Sequence, residues 1–274
     1  MKIIRTAAFI LLSCNVGYYK SEKRYKGSME MFKQSVLESI EVIDHSGIRI
    51  NSSKVVYIDP ISVSGTPHDA DLILFTHPHG DHFSPKDVKK LLKADTVIAA
   101  PTSMSTRCRL FLGKEPVPLM PAQSLNLCDI PVETVAAYNI KKPNHRKAKN
   151  WLGYILDIDG TRVYIAGDTD ITEESRRVSC DIALLPVGGS FTMDPKQAAE
   201  LANFISPHTV IPIHYGKLIG GAEAAENFRS AVDPHIETDI RPTACSDVLI
   251  KMYAKIGTMA VAFGILIFLM EKII

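Results

Sequence analysis

The chain has 274 residues, 46% of them hydrophobic and 22% charged, enough for one globular core of ordinary size plus extensions. Its 31 basic residues oppose 30 acidic ones, a net charge of +1. That excludes a global basic field for nucleic acid and an acidic, disordered chain. The cysteines (Cys14, Cys108, Cys128, Cys180, Cys245) are odd in number, scattered, and contain no Cys-x-x-Cys. A reducing, cytoplasmic compartment is therefore expected, with any metal held by His and Asp.

Residues 1–28 begin MKIIRTAAFILLSC, with two early positive charges and a short apolar run. They read as an N-terminal extension or a weak export-like signal, and Met29 and Met31 both offer later starts. KVVYIDP is a short β-branched strand ended by Asp59-Pro60. DLILFTH is a second strand, its apolar run (Leu72 to Phe75) too short for a helix. SPKDVKKLLKAD predicts a helix with Ser84 as N-cap, Pro85 in the first helical position, and Val88, Leu91 and Leu92 as one apolar stripe. TVIAAP is another strand.

WLGYILDIDGTRVYIAGD reads as a hairpin turning at Asp159-Gly160, and DIALLPV as a buried strand. DPKQAAELANFI predicts a helix with Asp194 as cap, Pro195 next and Gln197 in the capping-box position. TVIPIHYG is a late strand and AEAAENFRSAV the following helix. Strands dominate the first half and strand–helix alternation the second, which suggests sheets covered by helices, an α+β class. The tail, 241–274, carries the uncharged run Ile256–Met270. That run is shorter than the about 20 residues of a typical spanning helix, so membrane anchor, packed helix and partner-binding helix stay open.

Four of these strands finish in a ligand-type residue: Asp59, His77, Asp168 and His214. THPHGDHF, Thr76 to Phe83, adds His79, Asp81 and His82 beside the second. In extended chain, side chains at i and i+2 point the same way, so His77 and His79 reach one ion together. Gly80 permits a turn that swings Asp81 and His82 to a second. Imidazole and carboxylate suit zinc, iron or manganese. Two ions about 3.5–4 Å apart form a hydrolytic clamp, which needs a bridging carboxylate. Asp168 is the natural bridge, and His214 completes the second site.

Each residue has a plainer reading: a polar loop for 76–83, a turn-capping carboxylate for Asp168, a core histidine for His214. The coincidence of four ligand-bearing strand ends outweighs these. Asp59 either terminates its strand or orients a ligand. His45, His68, His208 and His235 read as structural or surface histidines, with His45 and His68 best placed to support the ligands. Ser190, Thr192 and Tyr215 are candidate pocket walls. The basic stretch Lys141–Lys149 reads as a mobile, solvated loop, or as a clamp for an anionic substrate.

THPHGDH resembles the signature of metallo-β-lactamase-fold hydrolases. VVYIDP, AGDTD and IPIHYG resemble that superfamily's first acidic motif, bridging aspartate and last histidine. HSGIRI, HDADLILFTHPHGDHFSPKD, NWLGYIL and DIALLPVGGSFTMDPKQAAELA look like the prokaryotic branch related to ascorbate-phosphate lactonase and, more distantly, to N-acyl phosphatidylethanolamine phospholipase D. The resemblance spans about residues 40–236. It implies a four-layer αββα sandwich with metals at one edge, in a hydrolase domain over 29–240. It places His77 and His79 on the first metal, Asp81, His82 and His214 on the second, and Asp168 between them. The superfamily often supplies a further first-site histidine where VAAYNIKKPNHRKAKNW carries Asn139, so His145 is expected to serve instead. Without it the first site is weak, and a single-metal enzyme is the alternative.

The implied chemistry is hydrolysis of a small ester, lactone or phosphoester by metal-bound hydroxide, with Asp81 orienting the nucleophile or taking its proton. One or two Zn2+ ions are expected, Mn2+ or Fe2+ being the alternatives, and a small-molecule substrate rather than nucleic acid. Rival readings are a phosphodiesterase or nuclease of the same fold, an iron-dependent redox enzyme, and a non-catalytic metal-binding protein held at a membrane through 256–274. A flavodiiron variant would replace a motif histidine with glutamate and add a flavin domain, and neither is seen here.

Overall fold

Successive side chains along a strand point to opposite faces, and that period of two divides the apolar residues between the layers. The structure, a computed structural model, describes residues 30–31, 33–216, 220–221 and 223–241. The first sheet runs in the order β1 (Ile40–Asp44), β2 (Gly47–Asn51), β3 (Val55–Ile58), β4 (Ala70–Leu74), β5 (Leu92–Pro101), β6 (Val117–Leu119). The second comprises β7 (Ser124–Leu127), β8 (Ile130–Ala136), β9 (Leu152–Ile158), β10 (Thr161–Ile165), β11 (Ile182–Pro186), β12 (Thr209–Ile213) and β13 (Glu237–Thr238), in the order β13-β12-β11-β10-β9-β8-β7.

The sheets face each other through Ile48, Ile50, Val56, Ile58, Leu72 and Leu74 on one side and Leu152, Tyr154, Leu156, Val163, Ile165, Leu184 and Ile211 on the other. Intervening residues point outward to helices. Tyr57, Ile73 and Phe75 pack with α1 (Pro85–Lys89) and α2 (Ser105–Leu112) through Val88 and Cys108, and with Met104 in the turn before α2. Tyr164, Ala183, Leu185 and Val210 pack with α4 (Pro195–Ile205) and α5 (Glu223–Ala231) through Ala198, Leu201 and Phe228. A short α3 (Glu173–Arg176) precedes β11. This is the four-layer αββα sandwich of the metallo-β-lactamase fold. Each fully buried Leu or Ile contributes roughly 1.5–3 kcal/mol by leaving water.

Local expectations hold at the caps and the hairpin. Ser84 and Asp194 accept backbone N–H groups at their helix starts, and Gln197 closes the capping box. Asp159 (φ 50°) and Gly160 (φ 81°) both adopt the left-handed conformation that a tight primed turn requires. The helix expected over 84–95 differs: it ends at Lys89, and Leu92 opens β5 instead of joining an apolar stripe. The Leu91 carbonyl accepts the Ala70 N–H, and Thr96 Oγ1 bonds both the Lys93 N–H and the Ala70 carbonyl. Pairing with β4 outcompetes one more turn of an isolated helix.

Residues 1–28 and the apolar run 256–270 lie outside the described residues. Among the described residues, no helix is long and apolar enough to cross a membrane.

Candidate metal centre

Parallel pairing brings the strand ends together. β3 runs parallel to β4, and β10, β11 and β12 run parallel to one another, so the carboxyl ends in each set share an edge. Asp59 and His77 follow β3 and β4; Asp168 and His214 follow β10 and β12. The two edges meet closely: Leu152 N–H donates to the Thr76 carbonyl at 3.1 Å. Gly167 makes that approach feasible. Its φ is +64°, and a Cβ there would lie 2.9 Å from the Leu152 carbonyl oxygen and 3.2 Å from the Thr76 side chain.

One group of ligand atoms comprises His77 Nε2, His79 Nδ1 and His145 Nε2. His79 Nδ1 lies 3.0 Å from the first and 3.1 Å from the second of its partners. Asp168 Oδ2 stands 3.7 Å from His77 Nε2 and 3.5 Å from His145 Nε2. The other group gathers Asp81 Oδ2, 3.8 Å from His82 Nε2 and 3.7 Å from His214 Nε2. Asp168 reaches this group too, Oδ1 being 3.3 Å from His82 Nε2 and Oδ2 3.3 Å from His214 Nε2. Every expected ligand residue is therefore present, with Asp168 touching both groups.

The supporting contacts aim these lone pairs. Asp59, buried, receives the Thr76 N–H at 2.8 Å, the Thr76 hydroxyl at 2.5 Å and His82 Nδ1 at 2.8 Å. A proton on His82 Nδ1 leaves Nε2 free to bind a cation. Thr76 Oγ1, already donating to Asp59, accepts from His77 Nδ1 at 3.0 Å and leaves His77 Nε2 free in the same way. His145 Nδ1 donates to the Phe191 carbonyl at 3.1 Å. Asn139 lies behind His145: its Nδ2 donates to the same carbonyl at 2.7 Å and its N–H to the His145 carbonyl at 2.8 Å. It is a brace, and His145 faces the cluster. Trp151 walls this side, its ring centroid 5.0 Å from those of His77 and His79 and 5.2 Å from that of His145.

The loop read as mobile is tied down. Lys142 bonds the Asp170 carboxylate and the Thr192 carbonyl, and Lys147 bonds Glu174 at 2.7 Å, so these two cations are engaged within the chain. His68 is exposed, bonds the Leu92 carbonyl at 3.0 Å and takes no part in the cluster. His208 and His235 bond Thr209 and Ser206 away from the cluster. The cavity over the cluster, about 230 Å³, adds Asn144 and Phe191 to the ligand-type side chains. Ser190, Thr192 and Tyr215 do not line it, and Thr192 Oγ1 is spent on the Met193 carbonyl. A larger hollow of about 600 Å³ beside β1 holds Arg49 and Asp69, which pair at 2.8 Å, and no ligand cluster.

Burial favours the neutral forms of His77, His79 and His145, and all three are held below the ordinary histidine pKa. Burial acts the same way on His82, but Asp168 and Asp59 outweigh it and hold that ring well above the ordinary value. His214 is likewise pushed up to about 9 by Asp168 and Asp81 against its burial. Burial also opposes ionisation of Asp81 and Asp168, yet the neighbouring histidines keep both carboxyls below the ordinary carboxylate range. Protons on His82 and His214 thus neutralise buried carboxylates. Meanwhile His82 Nε2, Asp168 Oδ1 and both ring nitrogens of His214 are buried without a hydrogen-bond partner. Buried polar atoms of this kind call for a ligand, and the imidazole and carboxylate donors suit a divalent cation.

The family model for the beta-lactamase superfamily domain matches residues 39–214. A UPF0173 metal-dependent hydrolase of Pyrococcus furiosus is 30% identical over 209 residues, covering 70% of this chain and 91% of that protein. Another, from Methanosphaerula palustris, is 31% identical over 199 residues, covering 69% and 88%. The crystal structure of a metal-dependent hydrolase from Parabacteroides distasonis matches with a TM-score of 0.63 at 33% identity, covering 74% of this chain and 91% of that one.

Proposed function

Because this chain belongs to the beta-lactamase superfamily, among its UPF0173-type metal-dependent hydrolases, we propose that it hydrolyses a small ester, lactone or phosphoester at a two-ion, zinc-preferring centre. His77, His79 and His145 would hold the first ion and Asp81, His82 and His214 the second, with Asp168 shared between them. The observation that carries this reading is Asp168, whose oxygens stand 3.3–3.7 Å from nitrogens of both groups. The scattered, unpaired cysteines among the described residues support the cytoplasm as its compartment.

Bound ions supply Lewis acidity and lower the pKa of a coordinated water towards about 7. The chain's own residues set the rest. Asp59 and Thr76 fix the rings of His82 and His77. The Phe191 carbonyl and Asn139 fix His145. The small cavity admits a compact group, with Phe191 and Asn144 beside it. Asp81 is ionised far below neutral pH, which makes it a weak base and suits it to orienting a nucleophile by accepting a hydrogen bond.

The decisive assay loads the full chain with zinc and offers a lactone, a carboxylic ester and bis-p-nitrophenyl phosphate. Turnover of at least one, lost on chelation and regained with zinc, supports the proposal. Turnover indifferent to chelation, or none on any class by fully loaded protein, overturns it.

Metal binding should also release protons. His82 and His214 carry them in the metal-free site and must give them up to ligate. Apparent zinc affinity should therefore climb as pH rises from about 6 towards 9. Calorimetry in two buffers of different ionisation enthalpy reads the protons directly. Equal heats in both buffers at pH 7 contradict it.

A further inference from the structure

His45 sits in the β1–β2 turn, outside the motifs that name the other ligands, and its ring ends in the same cluster. The side chain is 3% exposed. Its Nε2 lies 3.4 Å from Asp81 Oδ2, closer than His214 Nε2 at 3.7 Å or His82 Nε2 at 3.8 Å. That nitrogen is buried without a well-aligned hydrogen bond, so a cation shared with Asp81 Oδ2 would satisfy it. The ligand atoms of His45, Asp81, His82 and His214 all lie within 4.8 Å of one another. Donors about 2.1 Å from an ion sit about 3.0–3.5 Å apart in four- or five-coordinate shells, so one cation could lie among these atoms.

The backbone explains how a turn residue arrives there. The His45 carbonyl accepts the His214 N–H at 2.9 Å, which couples the two residues and leaves their ring centroids 3.9 Å apart. His45 has φ 51° and His214 φ 56°, both in the sparsely populated left-handed region. Gly47 lets the turn press inward. A Cβ there would meet the Asp44 carbonyl oxygen at 3.1 Å and the Ile61 nitrogen at 3.2 Å.

Resting on the two-ion reading above, we infer that His45 supplies a third imidazole to the ion held by Asp81, His82 and His214. With Asp168, five side chains then surround that ion and four surround the other. The cavity is lined by His79 and His145 of one group and by Asp81 and His214 of the other, with Asp168 between them, so His45 would add its ring without standing in the opening.

The test uses the full chain, stripped by chelation and titrated with Co2+ against a chromophoric chelator. Wild type is compared with His45→Gly and His45→Asn. Glycine adopts φ 51° without strain, so it removes the ring and spares the turn, and asparagine is a second residue that tolerates that φ. Wild type should take two equivalents. Each variant should bind one of them normally and the other about 100-fold more weakly, with a changed cobalt d–d spectrum, and added imidazole should restore both in His45→Gly. Variants that bind both equivalents as wild type does, with an unchanged spectrum, overturn the role of His45 alone. A wild type that takes no cobalt overturns the two-ion reading with it. Should both variants fail to fold, anomalous diffraction from the cobalt-loaded wild type decides: His45 Nε2 about 2.0–2.2 Å from an ion supports the assignment, and beyond about 3 Å overturns it.

Discussion

Asp168→Asn should lower hydrolytic turnover on the order of a thousandfold and cost the protein at least one bound ion. The substitution keeps the shape and removes only the charge and one lone-pair-rich oxygen. Among the described residues, no other carboxylate stands within 4 Å of nitrogens in both ligand groups. Asp81 stands within 4 Å of His82 and His214 in the second group, and Asp59 lies behind His82 at its Nδ1. The loss is electrostatic as well. Asp168 is the strongest influence opposing burial at both His82 and His214, so without it those rings shed their protons more easily. The sign follows from linkage. His214, raised from 6.5 to about 9, contributes stability to the metal-free fold that is fully present below pH 6.5 and lost as pH rises through about 9. Chelated Asp168→Asn should therefore fall furthest below wild type in denaturant near pH 6, with the gap narrowing towards pH 9. Metal analysis and turnover of purified Asp168→Asn check the first claim. Wild-type values for both would remove Asp168 from the centre.

Much of this centre was legible because its chemistry sits where chain geometry is simplest. His77, Asp168 and His214 each follow a short apolar run, and such runs read as strands whatever their partners. The alternation in KVVYIDP and TRVYIAGD also separates inward from outward residues, and the two-sheet core follows from it. What stayed hidden depends on long-range pairing. Leu92 looks like one more turn of a helix until β4 claims the backbone around it. His45 reads at most as a histidine supporting the ligands until its carbonyl meets the His214 N–H, far along the chain, and its ring enters the cluster. The Phe191 carbonyl orients His145, and a backbone oxygen carries no side-chain signal at all. The charged stretch 141–149 suggested a loop free in solvent, because the acids that hold it, Asp170 and Glu174, come from beyond the next strands.

The choice between His145 and Asn139 is the sharpest consequence of that loop. His145→Ala should remove a nitrogen from the first ion, drop zinc content towards one equivalent and lower turnover about a hundredfold or more. Asn139→Ala should keep two equivalents and cost between about 10- and 100-fold in affinity at one of them, since it removes a brace and not a ligand. The geometry supports the order of these effects. His145 Nε2 stands 3.1 Å from His79 Nδ1 and 3.5 Å from Asp168 Oδ2, whereas Asn139 meets the His145 ring at Nδ1, on the side away from that nitrogen. His145 is buried at φ 54°, held by Asn139 and Phe191 on one side and Trp151 on the other. Loss of its ring would leave the buried His77 and the exposed His79 as the two imidazoles of that group. The first ion should then exchange faster as well as bind more weakly, which competition with a chelator over time resolves. The reverse order, with Asn139→Ala losing an ion and His145→Ala keeping both, would hand the first site to the amide and require the loop to reorganise around it.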